Sequence, residues 1–169
     1  MILTEFIVEP CWPVTCNWQA LGTRAVNAAI AQTGFAAAAA SRTQYEISIK
    51  LAADEDVRAL NRDYRGKDKA TNILSFPMMS PEDIGQCMDD GAQELMLGDM
   101  ILAHGVCTRE ANERGVSTAA HATHLIVHGT LHLLGYDHVV ENEAEAMEAL
   151  EVRIMRGLGL HDPYGAIED

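Results

Sequence analysis

Tyr45, Ile47, Ile49 and Leu51 alternate with Glu46, Ser48 and Lys50, the period of two that turns one face of a strand inward and the other out. Three further apolar stretches, over 2–8, 73–76 and 95–102, read as strands bounded by breakers such as Pro10, Pro77 and Gly98. Helical spacing fills the intervals. Trp18, Leu21, Ala25 and Ala29 precede Gly34, and Val57, Leu60 and Tyr64 follow an acidic start at 54–56 and precede Gly66. Further helices are expected over about 105–114, 118–134 and 142–156, the last with Met147, Leu150 and Ile154 inward and its glutamates outward. Residues 80–91, with Pro81, Gly85 and Gly91, read as an exposed loop. No repeat or long linker divides the chain. The pattern predicts one α+β domain over 1–169, a mixed sheet of about four strands flanked by about five helices.

Composition narrows the class. With 48% hydrophobic residues in 169 and no apolar run long enough to span a bilayer, the chain reads as a globular domain with a real core. The N-terminal MILTEFIVEP carries an acid where a signal peptide needs basic residues, so a cytoplasmic protein without membrane contact is expected. Cys11, Cys16, Cys87 and Cys107 are scattered and read as reduced thiols. A net charge of −13 speaks against a general nucleic-acid binder, because phosphate attraction is supplied by Lys and Arg.

Five of the seven histidines lie within HATHLIVHGTLHLLGYDH, residues 121–138. On a helix, His121, His124, His128 and His132 fall within about 80° of one another and make one stripe. The sharper pattern is His128, His132, Gly135 and His138. Residues four apart aim two imidazoles at one ion, and a turning glycine lets His138 add a third nitrogen. Three protein ligands leave the fourth tetrahedral position of a zinc open, which is the arrangement of a catalytic rather than a structural site. Three imidazoles also suit Ni²⁺ or Cu²⁺. His121 and His124 stand outside the triplet as supporting or structural residues, and Asp137 reads either as an acceptor for a ligand imidazole or, no less readily, as a surface carboxylate. The zinc peptidases with this spacing carry Glu next to the first ligand as general base. Gly129 stands there in this chain, which counts against a peptidase.

Charge is also segregated. Residues 58–69, RALNRDYRGKDK, carry +3 and the rest of the chain −16. Arg58, Arg62 and Arg65 share one helix face, away from Val57, Leu60 and Tyr64, and Lys67 and Lys69 extend it. Arginine forks suit phosphate, although Asp56, Asp63 and Asp68 could equally make this a balanced, solvated surface.

The strings YRGKDKATNILSFP (64–77), LGDMILA (97–103) and HLIVHGTLHLLGYDH (124–138), followed by EAEAMEALE and GLHDPY, resemble the bacterial YbeY family of rRNA maturation endoribonucleases. They run in order over roughly three quarters of the chain, with only volume-conserving departures at Ile73 and Met100. The resemblance implies a zincin-like fold and a metal-dependent, single-strand-specific endoribonuclease acting in 16S rRNA 3′-end maturation and ribosome quality control. It implies that His128, His132 and His138 hold one Zn²⁺, with His128 and Arg65 as catalytic residues, and that the partners are single-stranded rRNA near the 16S 3′ end and the ribosomal subunit or its assembly proteins. Ser75 and Asp99 lie in matching strings and are expected to support strand ends beside the site. Two rival readings are a zincin-like hydrolase of another substrate class and a non-catalytic rRNA-binding assembly factor with a structural zinc.

Overall fold

A computed structural model of the chain describes residues 1–88, 93–137 and 140–165. The elements run β1 (Ile2–Val8), α1 (Trp18–Ala31), a 3₁₀ turn (Ala36–Ala40), β2 (Gln44–Ala52), α2 (Asp54–Arg65), β3 (Ile73–Pro77), α3 (Pro81–Cys87), β4 (Glu94–Ala103), α4 (His104–Arg114), α5 (Thr118–Leu133) and α6 (Glu141–Gly157). The four strands form one sheet in the order β1-β2-β4-β3. β2 pairs in parallel with β1 and β4, and β3 runs antiparallel to β4. The expected α+β architecture is therefore the observed one. Among the described residues no helix is long and apolar enough to cross a membrane, and all four cysteines are free.

The alternation in β2 does what its period requires. Tyr45, Ile47, Ile49 and Leu51 are buried with Met100 and Leu102 of β4, against Ala25 and Ile30 of α1, Ile126 and Leu131 of α5, and Ile154 of α6. Each large aliphatic side chain buried there contributes about 1.5–3 kcal/mol. On the opposite face a smaller cluster joins Val57 of α2 to Leu74, Ile101, Ala103 and Val106. Helix α5 is buried almost all round, as expected of a helix at the centre of a domain.

Six helices stand among the described residues, one more than expected, because part of the supposed 80–91 loop is α3. Ser80 caps it by accepting from the Asp83 amide, Pro81 occupies the first turn with Glu82 and Asp83 behind it, and Ile84 is buried. A capped start with acids in the first turn favours helix despite Pro81 and Gly85. Gly91, the other breaker of that stretch, lies outside the described residues.

Two glycines set how α5 presents its histidines. Gly129 lies against the sheet, and a Cβ there would come within 2.8 Å of Ile73 Cδ1 and 3.0 Å of Ser75 Oγ. Glycine at this position lets the helix approach β3 and β4 closely and leaves no room for a longer side chain. At the helix end, Gly135 adopts φ 97°. Its amide bonds the His132 carbonyl and the Tyr136 amide bonds the Leu131 carbonyl, both at 3.0 Å, the Schellman closure that turns the chain back.

Candidate metal centre

Helix α5 delivers a row of imidazoles whose surroundings change along its length. His121 and His124 are buried, at 1% and 6% exposure, whereas His128 and His132 are half-buried and line a cleft of about 650 Å³. The cleft's other walls come from Arg65, Thr71, Asn72, Ser75, Tyr136 and Asp137. The end of α2, the start of β3, the outer half of α5 and its C-terminal turn thus meet at one opening.

Within it, His128 Nε2 and His132 Nε2 face each other at 3.0 Å. His128 Nδ1 lies 2.7 Å from Glu151 Oε1. An ionised carboxylate only accepts, so Nδ1 carries the hydrogen and a neutral His128 turns a bare Nε2 lone pair toward His132. Two converging imidazole nitrogens, one fixed as an electron-pair donor, fit half of a zinc coordination set. Among the described residues no three His, Cys, Asp or Glu side chains come together as a metal site. The third expected ligand, His138, lies outside the described residues, immediately after the Gly135 turn and Asp137.

Glu151 is the residue the sequence pattern hides. It was expected on the outer face of α6 with the other glutamates, yet it is fully buried beside Met147, Leu150, Ile154 and Met155. Its Oε2 accepts from His124 Nε2 and from the Tyr164 hydroxyl, both at 2.6 Å, while Oε1 takes His128. Burial pushes its carboxyl up, but the hydrogen bonds from His124, His128 and Tyr164 outweigh it and bring it down to about 2. Burial holds His124 below the ordinary histidine value against the opposing pull of Glu151. An ionised Glu151 beside a neutral, donating His124 satisfies both directions. Tyr164 is pushed up by burial and by its bond to Glu151.

A second carboxylate holds His121. Glu110 of α4 accepts from His121 Nε2 at 2.9 Å and from Asn72 Nδ2 at 3.1 Å. The His121 hydrogen bond, opposed by burial and aided by Asn72, keeps Glu110 below its ordinary value. The Asn72 Oδ1 caps the Ile73 amide at 2.7 Å, so this network ties the start of β3 to α4 and α5.

The arginine face divides as well. Arg58 is bound by both oxygens of Asp68, at 2.9 and 3.2 Å, and Arg62 pairs with its neighbour Asp63 at 3.1 Å. Those two belong to a balanced, solvated surface. Arg65 differs: its Nη2 donates to the Ser75 carbonyl at 3.2 Å, its guanidinium lies 5.9 Å from the Phe76 ring centre, and it reaches the cleft. Ser75 is at the cleft as expected, but Asp99 lines a separate groove on the α2 side of the sheet, with Glu5, Lys50 and Tyr64. His104 packs edge-on against Trp12, away from the site.

A family model described as Endoribonuclease YbeY matches residues 15–159. The Endoribonuclease YbeY of Rhizorhabdus wittichii is 52% identical over 169 residues, covering all of both chains. That of Sphingopyxis alaskensis is 50% identical over 164 residues, 97% of this chain and 98% of the relative. In fold, the chain is similar to the solution structure of TM1509 from Thermotoga maritima, with a TM-score of 0.54 at 17% identity, covering 97% of this chain and all of the other. The match spans the strand that carries Ser75, the α2 end that carries Arg65 and the whole of α5, and the chain belongs to the Endoribonuclease YbeY family.

Proposed function

We propose that this protein is a metal-dependent endoribonuclease that cuts single-stranded RNA, acting on the 3′ end of 16S rRNA and in ribosome quality control. The observation that carries the reading is the pair of facing Nε2 atoms of His128 and His132 in a cleft that Arg65 also lines. His128, His132 and His138 would hold one Zn²⁺. When bound, the ion supplies Lewis-acid chemistry at a phosphate oxygen or water.

The protein's own groups do the rest. His128 presents Nε2 because Glu151 occupies its Nδ1 hydrogen. Arg65 uses one of its five donors on the Ser75 carbonyl, which anchors the guanidinium and leaves other N–H groups for the scissile phosphate as charge builds on it. Phosphate recognition rests on this one oriented arginine, with Lys67 and Lys69 beside it as diffuse attraction. Gly129 stands where the zinc peptidases carry their general base, which counts against the peptidase reading.

The test is cleavage of a single-stranded RNA spanning the 16S rRNA 3′ end, against the same strand annealed into a duplex, at increasing salt. Metal-dependent cleavage of the single strand, weakening as salt rises, is expected. Tight RNA binding without cleavage under any metal would replace this reading by that of a non-catalytic assembly factor.

A further inference from the structure

A buried carboxylate is expensive to desolvate and persists only where donors compensate it. Glu151 has three: His124, His128 and the Tyr164 hydroxyl. One comes from the α5 core, one from the cleft and one from the segment after α6. That segment is itself fastened, since Arg114 Nη1 donates to the Pro163 carbonyl, Pro163 is buried and the Tyr164 amide bonds Asp162. Behind His128, away from the cleft, a pocket of about 180 Å³ is walled by Met147, Glu148, Glu151 and Tyr164. Tyr164 therefore completes the hydrogen-bond set of Glu151 and lines, with it, the pocket behind His128.

We infer that Glu151 and Tyr164 are positioning residues of the metal centre: Glu151 locks His128 in the tautomer that leaves Nε2 without a hydrogen toward the cleft, and Tyr164 holds the Glu151 carboxyl oriented for that task. The inference rests on the reading of His128 as a metal ligand and goes beyond it, assigning part of the site to α6 and the segment that follows. Neutral imidazole has one hydrogen to place on two nitrogens. Without an acceptor at Nδ1 the hydrogen is free to sit on Nε2, where it must be displaced before a metal binds.

The experiment uses the metal-free full-length chain. Histidine-ring ¹⁵N spectra give the tautomer of His128, and competition with a chromophoric chelator gives the zinc dissociation constant, for wild type, Glu151→Met and Tyr164→Phe. Wild type is expected to show His128 protonated on Nδ1. Glu151→Met, which leaves no acceptor there, should lose that preference and bind zinc about 10–100-fold more weakly; Tyr164→Phe, which removes one hydroxyl, should weaken zinc by about 2–10-fold. A folded Glu151→Met protein with wild-type tautomer and zinc affinity would overturn the inference. If Glu151→Met does not fold, Tyr164→Phe decides it, and wild-type affinity there overturns it too. Failure of wild type itself to bind zinc would instead overturn the metal reading, a separate and distinguishable result.

Discussion

The two halves of α5 carry the same residue on one stripe and put it to different uses. In the first half, His121 and His124 are buried and each is held by a carboxylate from a neighbouring helix. Their Nδ1 atoms are buried without a hydrogen-bond partner among the described residues. In the second half, His128 and His132 open onto the cleft and face each other through Nε2. Helical periodicity puts all four on one stripe. Burial against exposure to the cleft decides which of them are structure and which are chemistry. Glu151 joins the halves, accepting from His124 with one oxygen and His128 with the other.

Replacing His128 or His132 with Ala is the strongest way to break this comparison: zinc binding and RNA cleavage should both be lost with the fold intact by circular dichroism. His121→Ala should do the opposite. It leaves Glu110 without its main donor and should cost about 1–3 kcal/mol in denaturant unfolding while zinc affinity stays at the wild-type value. Zinc loss in the His121 variant would erase the distinction between the two halves.

Arg65→Ala should lower kcat by about 10²–10³-fold with zinc content unchanged. Arg58→Ala, which breaks a surface pair with Asp68, should leave kcat near wild type. Equal losses in the two variants would mean that the whole face, rather than one oriented arginine, handles the phosphate.

Gly129→Ala tests the seat of the histidine row on the sheet. The added methyl meets Ile73 and Ser75 and should destabilise the protein by about 1–3 kcal/mol. Unchanged stability would show that α5 can lift away without consequence.

Acid should act most gradually. Burial holds His124 and His161 below the usual 6.5, so below that pH the unfolded chain takes up protons that the folded one resists, and stability falls. Glu151, lowered from 4.5 to about 2, adds a second loss between those values. Denaturant midpoints of the metal-free protein should therefore decline steadily from pH 7 toward pH 3; a midpoint rising with acid would contradict the neutral His124 and ionised Glu151.

Periodicity carried much of this architecture. The alternation in β2, the helical spacing of α5 and the Gly135 turn are local signals, and each element forms where they place it. The contacts that divide the site are not local. Glu151 lies in an acid-rich helix, and only its place on the Met147, Leu150, Ile154 and Met155 stripe marks it as inward; a glutamate on an apolar stripe is the signal that would have found it. Asp68 takes Arg58 from across a loop, and Glu110 takes His121 from another helix. Such partners depend on how helices pack, which spacing along one element does not encode. His138, the third expected ligand, lies outside the described residues.

On the proposed reading, the outer pair of histidines builds a zinc-dependent cutting site. Its test is elemental analysis of the purified protein, coupled to cleavage of a single-stranded 16S rRNA 3′ fragment before chelation, after chelation and after zinc is restored. One zinc per chain is expected, with cleavage abolished by chelator and recovered with zinc. Full cleavage by protein that holds no metal would overturn the zinc site.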